Sequence, residues 1–171
     1  MTQRGAEGVL ITGVYGSGKS SVAAEMAYLL EQRGEGYALL DLDYLSWGGP
    51  RGSSALEQHQ LMLANLAAVT GNYRQAGVTL FVLAYFARDL TVVQAVREAL
   101  DLPMRVVRLA VPLAEIRRRA ASDPTTQRQD DVRESAASIA TGEGTGIEDT
   151  VISNDQPVPA VAAQVMAWLG W

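Results

Sequence analysis

Eight consecutive residues constrain this chain more than any other feature. Gly13-Val14-Tyr15-Gly16-Ser17-Gly18-Lys19-Ser20 follow the apolar run Val9–Thr12. They open a segment to Gln32 with apolar residues at Val22, Ala23, Met26, Leu29 and Leu30, a helical stripe. This is the pattern G-x-x-x-x-G-K-S between a strand and a helix, the context a phosphate-binding loop requires. Glycines allow dihedrals that turn successive N–H groups toward phosphate oxygens, and the following helix adds its positive end. Gly13, Tyr15, Gly16, Ser17, Gly18, Lys19, Ser20 and Ser21 are therefore the expected nucleotide-binding residues. Lys19 would reach the β- and γ-phosphates, and the Ser20 hydroxyl would hold Mg²⁺.

The rest of the chain alternates two periods. Strands are expected at Tyr37–Leu42, Val78–Tyr85, Arg105–Val111 and Thr150–Ser153. Helices are expected over Leu56 to Ala76, Leu90 to Leu100, Leu113 to Ala121 and Pro157 to Leu169, with a loop from Ser46 to Ser54. The Leu56–Ala76 stripe is Leu56, Leu63, Leu66, Val69 and Tyr73. Asp123 to Thr145 is polar, with one weak helical stretch. Alternating strands and helices imply an α/β domain, a parallel sheet of about five strands with helices on both faces, built from all of 1–171. Ligands of such sheets bind beyond the carboxyl ends of the strands.

Composition narrows the chemistry. Lysine and arginine together number 14, and Lys19 is the single lysine. A phosphate-loop lysine acts as a compact point charge that a planar guanidinium does not imitate. Guanine-specific GTPases read their base with N/T-K-x-D, which needs a second lysine, so that class is excluded. The absence of cysteine removes disulfides and thiolate chemistry, and the single His59 leaves no histidine pair. A net charge of −5 argues against a nucleic-acid polymer as partner. No apolar run reaches the length of a membrane helix, and Met1–Gly8 lacks a basic-then-apolar leader. The expectation is a cytoplasmic protein, away from membranes, monomeric or homodimeric.

Asp41-Leu42-Asp43 closes the second strand, and alternation would put both carboxylates on one face at its mouth. Asp41 is the candidate for Mg²⁺ or its water shell, and Asp43 for proton acceptor or substrate anchor. The third strand ends Val82-Leu83-Ala84-Tyr85, without the acid of a conventional Walker B motif. A motor ATPase would need that acid.

With these residues in hand, the chain resembles the small P-loop kinases, the nucleoside-monophosphate-kinase-like group that includes adenylylsulfate kinase, gluconate kinase and chloramphenicol phosphotransferase. Leu40-Asp41-Leu42-Asp43-Tyr44-Leu45-Ser46-Trp47, Asn65-Leu66, Asn72-Tyr73-Arg74 and Gly170-Trp171 resemble a set of bacterial ATP-binding proteins labelled adenylylsulfate-kinase-like. The resemblance covers nearly the whole chain and implies a three-layer P-loop NTPase sandwich using ATP and Mg²⁺. It implies a small lid within about 117–145 whose arginines clamp phosphates. Of Arg117, Arg118 and Arg119, family spacing favours Arg119, with Ile116 packing inward. Arg128 would be the lid arginine on the transferring phosphate. Where the family often has another arginine, this chain has Asp123. The loop Asn154-Asp155-Gln156-Pro157 would border adenine, with Asn154 as nucleotide contact; it also has the form of a plain helix N-terminus.

Tyr15, Tyr44, Trp47, Tyr85 and Phe86 all follow expected strand ends. Aromatic walls with few polar groups suit a flat or partly apolar acceptor such as a nucleoside, an aromatic or an antibiotic-like molecule. Asp43, Tyr44, Trp47, Tyr85 and Arg88 are the expected substrate residues. A strongly anionic acceptor would want more arginine than the Arg51 and Arg88 on offer. The expected activity is transfer of the γ-phosphoryl of Mg·ATP to a small-molecule hydroxyl, with Lys19, Asp43 and Arg128 catalytic. The competing expectation is an ATP-binding switch acting on a protein partner.

Overall fold

The computed structural model describes residues 5–122 and 126–171, the side chains at 126 and 127 aside. Asp123 lies outside the described residues. Five strands, β1 (Glu7–Thr12), β2 (Tyr37–Asp41), β3 (Leu80–Ala84), β4 (Met104–Ala110) and β5 (Thr150–Ser153), form one sheet in the order β2-β3-β1-β4-β5. Every pairing is parallel. The chain winds out to β2, returns to β3, then crosses β1 to reach β4 and β5. The central strand therefore has its carboxyl end where the winding reverses, the position at which such sheets bind ligands.

Both faces of the sheet are covered, so β3 is apolar throughout and β1 is apolar over Val9, Leu10 and Ile11. Val9 and Ile11 of β1 face α1 (Lys19–Gln32) and α7 (Val158–Leu169), packing with Val22, Met26, Val161 and Val165. Leu10 faces the other way, toward Met62 and Leu66 of α3 (Ala55–Gln75) and Val93 of α4 (Leu90–Leu100). Two shorter helices, α2 (Leu42–Leu45) and α5 (Leu113–Ala120), follow β2 and β4, and α6 (Thr126–Thr141) precedes β5.

Three elements depart from the sequence expectation. The second strand stops at Asp41, and Asp43 lies inside α2. The cause is local: the Asp41 carboxylate accepts the Asp43 N–H at 3.2 Å and caps a helical turn. Alternation therefore does not relate the two acids. In α3 the buried face is Met62, Leu66 and Thr70, while Leu56 and Tyr73 of the expected stripe are exposed. A reciprocal capping box between Ser54 and Glu57 begins this helix. The weak stretch in the polar segment is a full sixteen-residue helix, α6.

Candidate active site

The phosphate loop leaves β1 at Gly13, whose φ of 140° only glycine adopts readily. A Cβ there would stand 2.8 Å from both the Leu109 carbonyl and Ser17 Oγ. Gly18, at φ 92°, caps α1, and a Cβ on it would collide with Asn154 Nδ2. The loop thus closes on β4 and β5 as well as on itself.

Lys19 begins α1 and folds back over the loop, its Nζ donating to the Val14 carbonyl at 3.2 Å. The ammonium also sits 5.2 Å from the Tyr15 ring centroid. The side chain is buried, and burial pushes its pKa down to about 8, against the opposing fields of Asp43, Asp41 and Asp131. The next residue turns the other way. Ser20 Oγ donates to Asp41 Oδ2 at 2.7 Å, so the P-loop hydroxyl and the β2 carboxylate form one pair. Asp43 projects from α2 beside them. Burial, then Asp41, raises its pKa, with Lys19 opposing.

Aromatic rings occupy two distinct positions. Tyr44 and Trp47 stack on each other at 5.3 Å and 20°, and both are exposed. Phe86, by contrast, is buried and meets Tyr15 edge-on at 5.8 Å. Its ring is core, not acceptor wall. The Tyr15 phenol is pushed up to about 12, first by burial and then by Asp43 and Glu134. The Tyr85 phenol is raised by burial and by Asp43. Both phenols therefore stay protonated and can donate.

Two helices form the far walls. In α5, Glu115 accepts from Arg118 and Arg119, each at 2.7 Å, and these bonds hold its carboxyl down to about 2. Arg119 also donates to the Asn154 carbonyl at 2.6 Å, and Asn154 Nδ2 donates to the Ser17 carbonyl at 2.6 Å. Asn154 is buried, so its side chain ties β5 to the loop from behind. Ser17 Oγ and Asn154 Oδ1 are buried and find no hydrogen-bond partner among the described residues. In α6, Ser135 Oγ donates to the Tyr15 carbonyl at 2.8 Å. Arg128 pairs with Asp131 at 3.3 Å, and Glu134 with Arg88 at 2.6 Å.

These walls enclose a cleft of about 1640 Å³. It brings together Tyr15, Gly16, Gly18, Lys19, Ser20, Ser21, Asp41, Asp43, Tyr44, Trp47, Arg119, Arg128 and Asn154 from the expected set. Tyr85 and Arg88 stand outside its lining, behind Tyr15. Gly13 and Ser17 form the buried floor of the loop. Glu115, Asp131, Glu134 and Ser135 escaped the sequence reasoning. A signal existed: Arg128, Asp131, Ser135 and Ser138 recur at helical spacing.

The cleft fits a polyphosphate. A buried lysine with a carbonyl acceptor, glycines where a Cβ would collide, and an unpartnered hydroxyl in the loop all favour an anion of that shape. Among the described residues no three His, Cys, Asp or Glu side chains cluster to hold a metal by themselves. Ser20 and Asp41 could hold Mg²⁺ only with oxygens from phosphates and water, the usual habit of this ion.

No protein-family model matches the chain, and no curated protein matches it in sequence. Solved structures do match it in shape. A sugar kinase from Janibacter sp. HTCC2649 shares 22% identity over 96% of this chain and 95% of that one, with a TM-score of 0.69. The APS kinase of Mycobacterium tuberculosis, solved with AMPPNP and APS, shares 23% over 99% and 100%, with a TM-score of 0.65. A gluconokinase from Sinorhizobium meliloti 1021 shares 18% over 98% and 94%, again with a TM-score of 0.65. The five-stranded parallel sheet, its two helical faces and its phosphate loop together are the fold of the small P-loop kinases.

Proposed function

We propose that the chain is an ATP-dependent phosphotransferase that moves the γ-phosphoryl of Mg·ATP to a hydroxyl of a small molecule. One observation carries the reading. Lys19, the Ser20–Asp41 pair and Asp43 stand side by side at the mouth of one cleft, with an exposed aromatic pair beyond them. When bound, Mg·ATP would supply the transferable phosphoryl and a divalent charge that offsets its oxygens. Lys19 places a cation where charge develops during transfer. Ser20 and Asp41 would hold the metal. Asp43 orients the acceptor hydroxyl and takes its proton, helped by burial and by Asp41, which raise its carboxyl above its ordinary value. Arg128, held by Asp131, is positioned in the cleft as the lid cation, and Arg119 with Asn154 braces the loop. Tyr44 and Trp47 supply a flat apolar surface for the acceptor, which fits an aromatic, nucleoside-like or antibiotic-like molecule.

ADP release from labelled ATP, measured across nucleosides, sugars, aromatic alcohols and antibiotics, tests the reading. At least one acceptor should raise release well above the rate with water alone, and Lys19→Ala should abolish it. If every acceptor fails and a protein partner alone changes ATP turnover, the chain is a nucleotide switch instead.

A further inference from the structure

The lining of the cleft carries six acidic and four basic side chains, and they are not evenly spread. Lys19, Arg118 and Arg119 lie along the phosphate loop and α5, the latter two already bound to Glu115. Around Asp43 the balance is different. Among the described residues, the charges whose fields reach Asp43 are Asp41, Lys19 and Asp131, and those reaching its neighbour Tyr15 include Glu134 and Arg88. The acids of α6 also consume the arginines nearby. Arg128 is paired with Asp131. The Arg88 guanidinium lies 2.6 Å from Glu134 and 3.9 Å from Glu143, and its backbone carbonyl accepts the Gly144 N–H. An arginine shared by two carboxylates presents little positive potential to a third anion. Arg51 is exposed and lies outside the cleft lining. Beyond Asp43 the wall is Tyr44 and Trp47, 65% and 74% exposed, stacked as a platform.

We propose that the acceptor subsite excludes anions: its occupant is an uncharged or amine-bearing hydroxyl compound whose flat face stacks on Tyr44 and Trp47. The word acceptor rests on the phosphotransferase reading, but the charge rule is a binding property that can be measured without transfer. An anionic group beside Asp43 and Asp131 meets repulsion that no unpaired arginine of α6 offsets, whereas an ammonium meets attraction there and on the aromatic faces.

The test uses the full chain saturated with Mg²⁺ and a non-hydrolysable ATP analogue. Three probes share a phenol ring: tyramine is cationic, tyrosol uncharged and 4-hydroxyphenylacetate anionic. Binding is read on the Trp47 indole resonance, assigned with Trp47→Phe. Tyramine and tyrosol should bind at least about tenfold more tightly than the anion. Equal or tighter binding of the anion overturns the charge rule. A Trp47 resonance that none of the three moves overturns the stacking platform. Glu134→Gln, which loosens the grip on Arg88, should cut the discrimination at least about threefold; an unchanged ratio removes α6 as its source. ADP release across the acceptor panel is a separate readout. Selective binding without release would sink the phosphotransferase reading and leave the charge rule standing.

Discussion

Lys19 answers two opposed demands. The residue is 7% exposed and its ammonium takes a carbonyl as acceptor, which is costly for a cation without an anion. The folded pKa of about 8 lies below the ordinary 10.5, so between these values the unfolded chain binds more protons. Stability of the free protein should therefore rise with pH through that window, as folded Lys19 sheds its proton first. Lys19→Met should raise stability at pH 7 by on the order of 1–3 kcal/mol while abolishing ATP binding. Thermal denaturation with and without nucleotide checks both halves. In the wild type a bound polyphosphate would restore the charge. Binding at pH 8.5 should take up a proton, seen as a calorimetric heat that varies with buffer ionisation enthalpy. Asp43 makes a different demand. Asp43→Asn should lower kcat by about a hundredfold or more, with KM for ATP nearly unchanged. The acid limb of the wild-type pH profile should lie above the ordinary carboxylate range, because burial and Asp41 raise this group.

Among the elements that line the cleft, α6 left the faintest trace in the sequence. The strands and the phosphate loop were legible because burial on both faces writes long apolar runs such as Leu80–Ala84, and because the loop needs glycine at fixed positions. In α6 the inward face is polar: Ser135 and Ser138 are buried and hydrogen-bonded, while Arg128 and Asp131 face the cleft. Apolar periodicity cannot find such a helix. The Asp41–Asp43 turn departs from strand alternation for a related reason, since a side chain that caps backbone overrides the alternation of a strand. Ser135→Ala should leave the Tyr15 carbonyl without its buried donor, costing about 1–2 kcal/mol. It should also raise KM for ATP and speed proteolysis within 126–145, both absent in the exposed control Ala137→Ser.

Across the whole molecule, the cleft gathers side chains from the ends of β1, β2, β4 and β5 and from α5 and α6. A ligand that touches all of them should stabilise the entire fold. With ATP analogue at a hundred times its dissociation constant, the gain is about 2.7 kcal/mol. That should raise the melting temperature by about 5–10 °C for a chain of this size. Asn154→Ala, which cuts the tie between β5 and Ser17, should lose at least half of that shift. The solitary lysine has a further consequence for how the molecule can be handled. Apart from the α-amino group, Lys19 is the one primary amine in the chain, and a pKa of about 8 leaves an appreciable share of it uncharged near neutrality. With the α-amino group blocked, the one amine left for an amine-reactive fluorophore or an acylating metabolite would be in the cleft, reached to the extent that the loop opens. Nucleotide occupancy could be followed as protection of a single labelled peptide, and lysine acylation within this chain can fall only on Lys19.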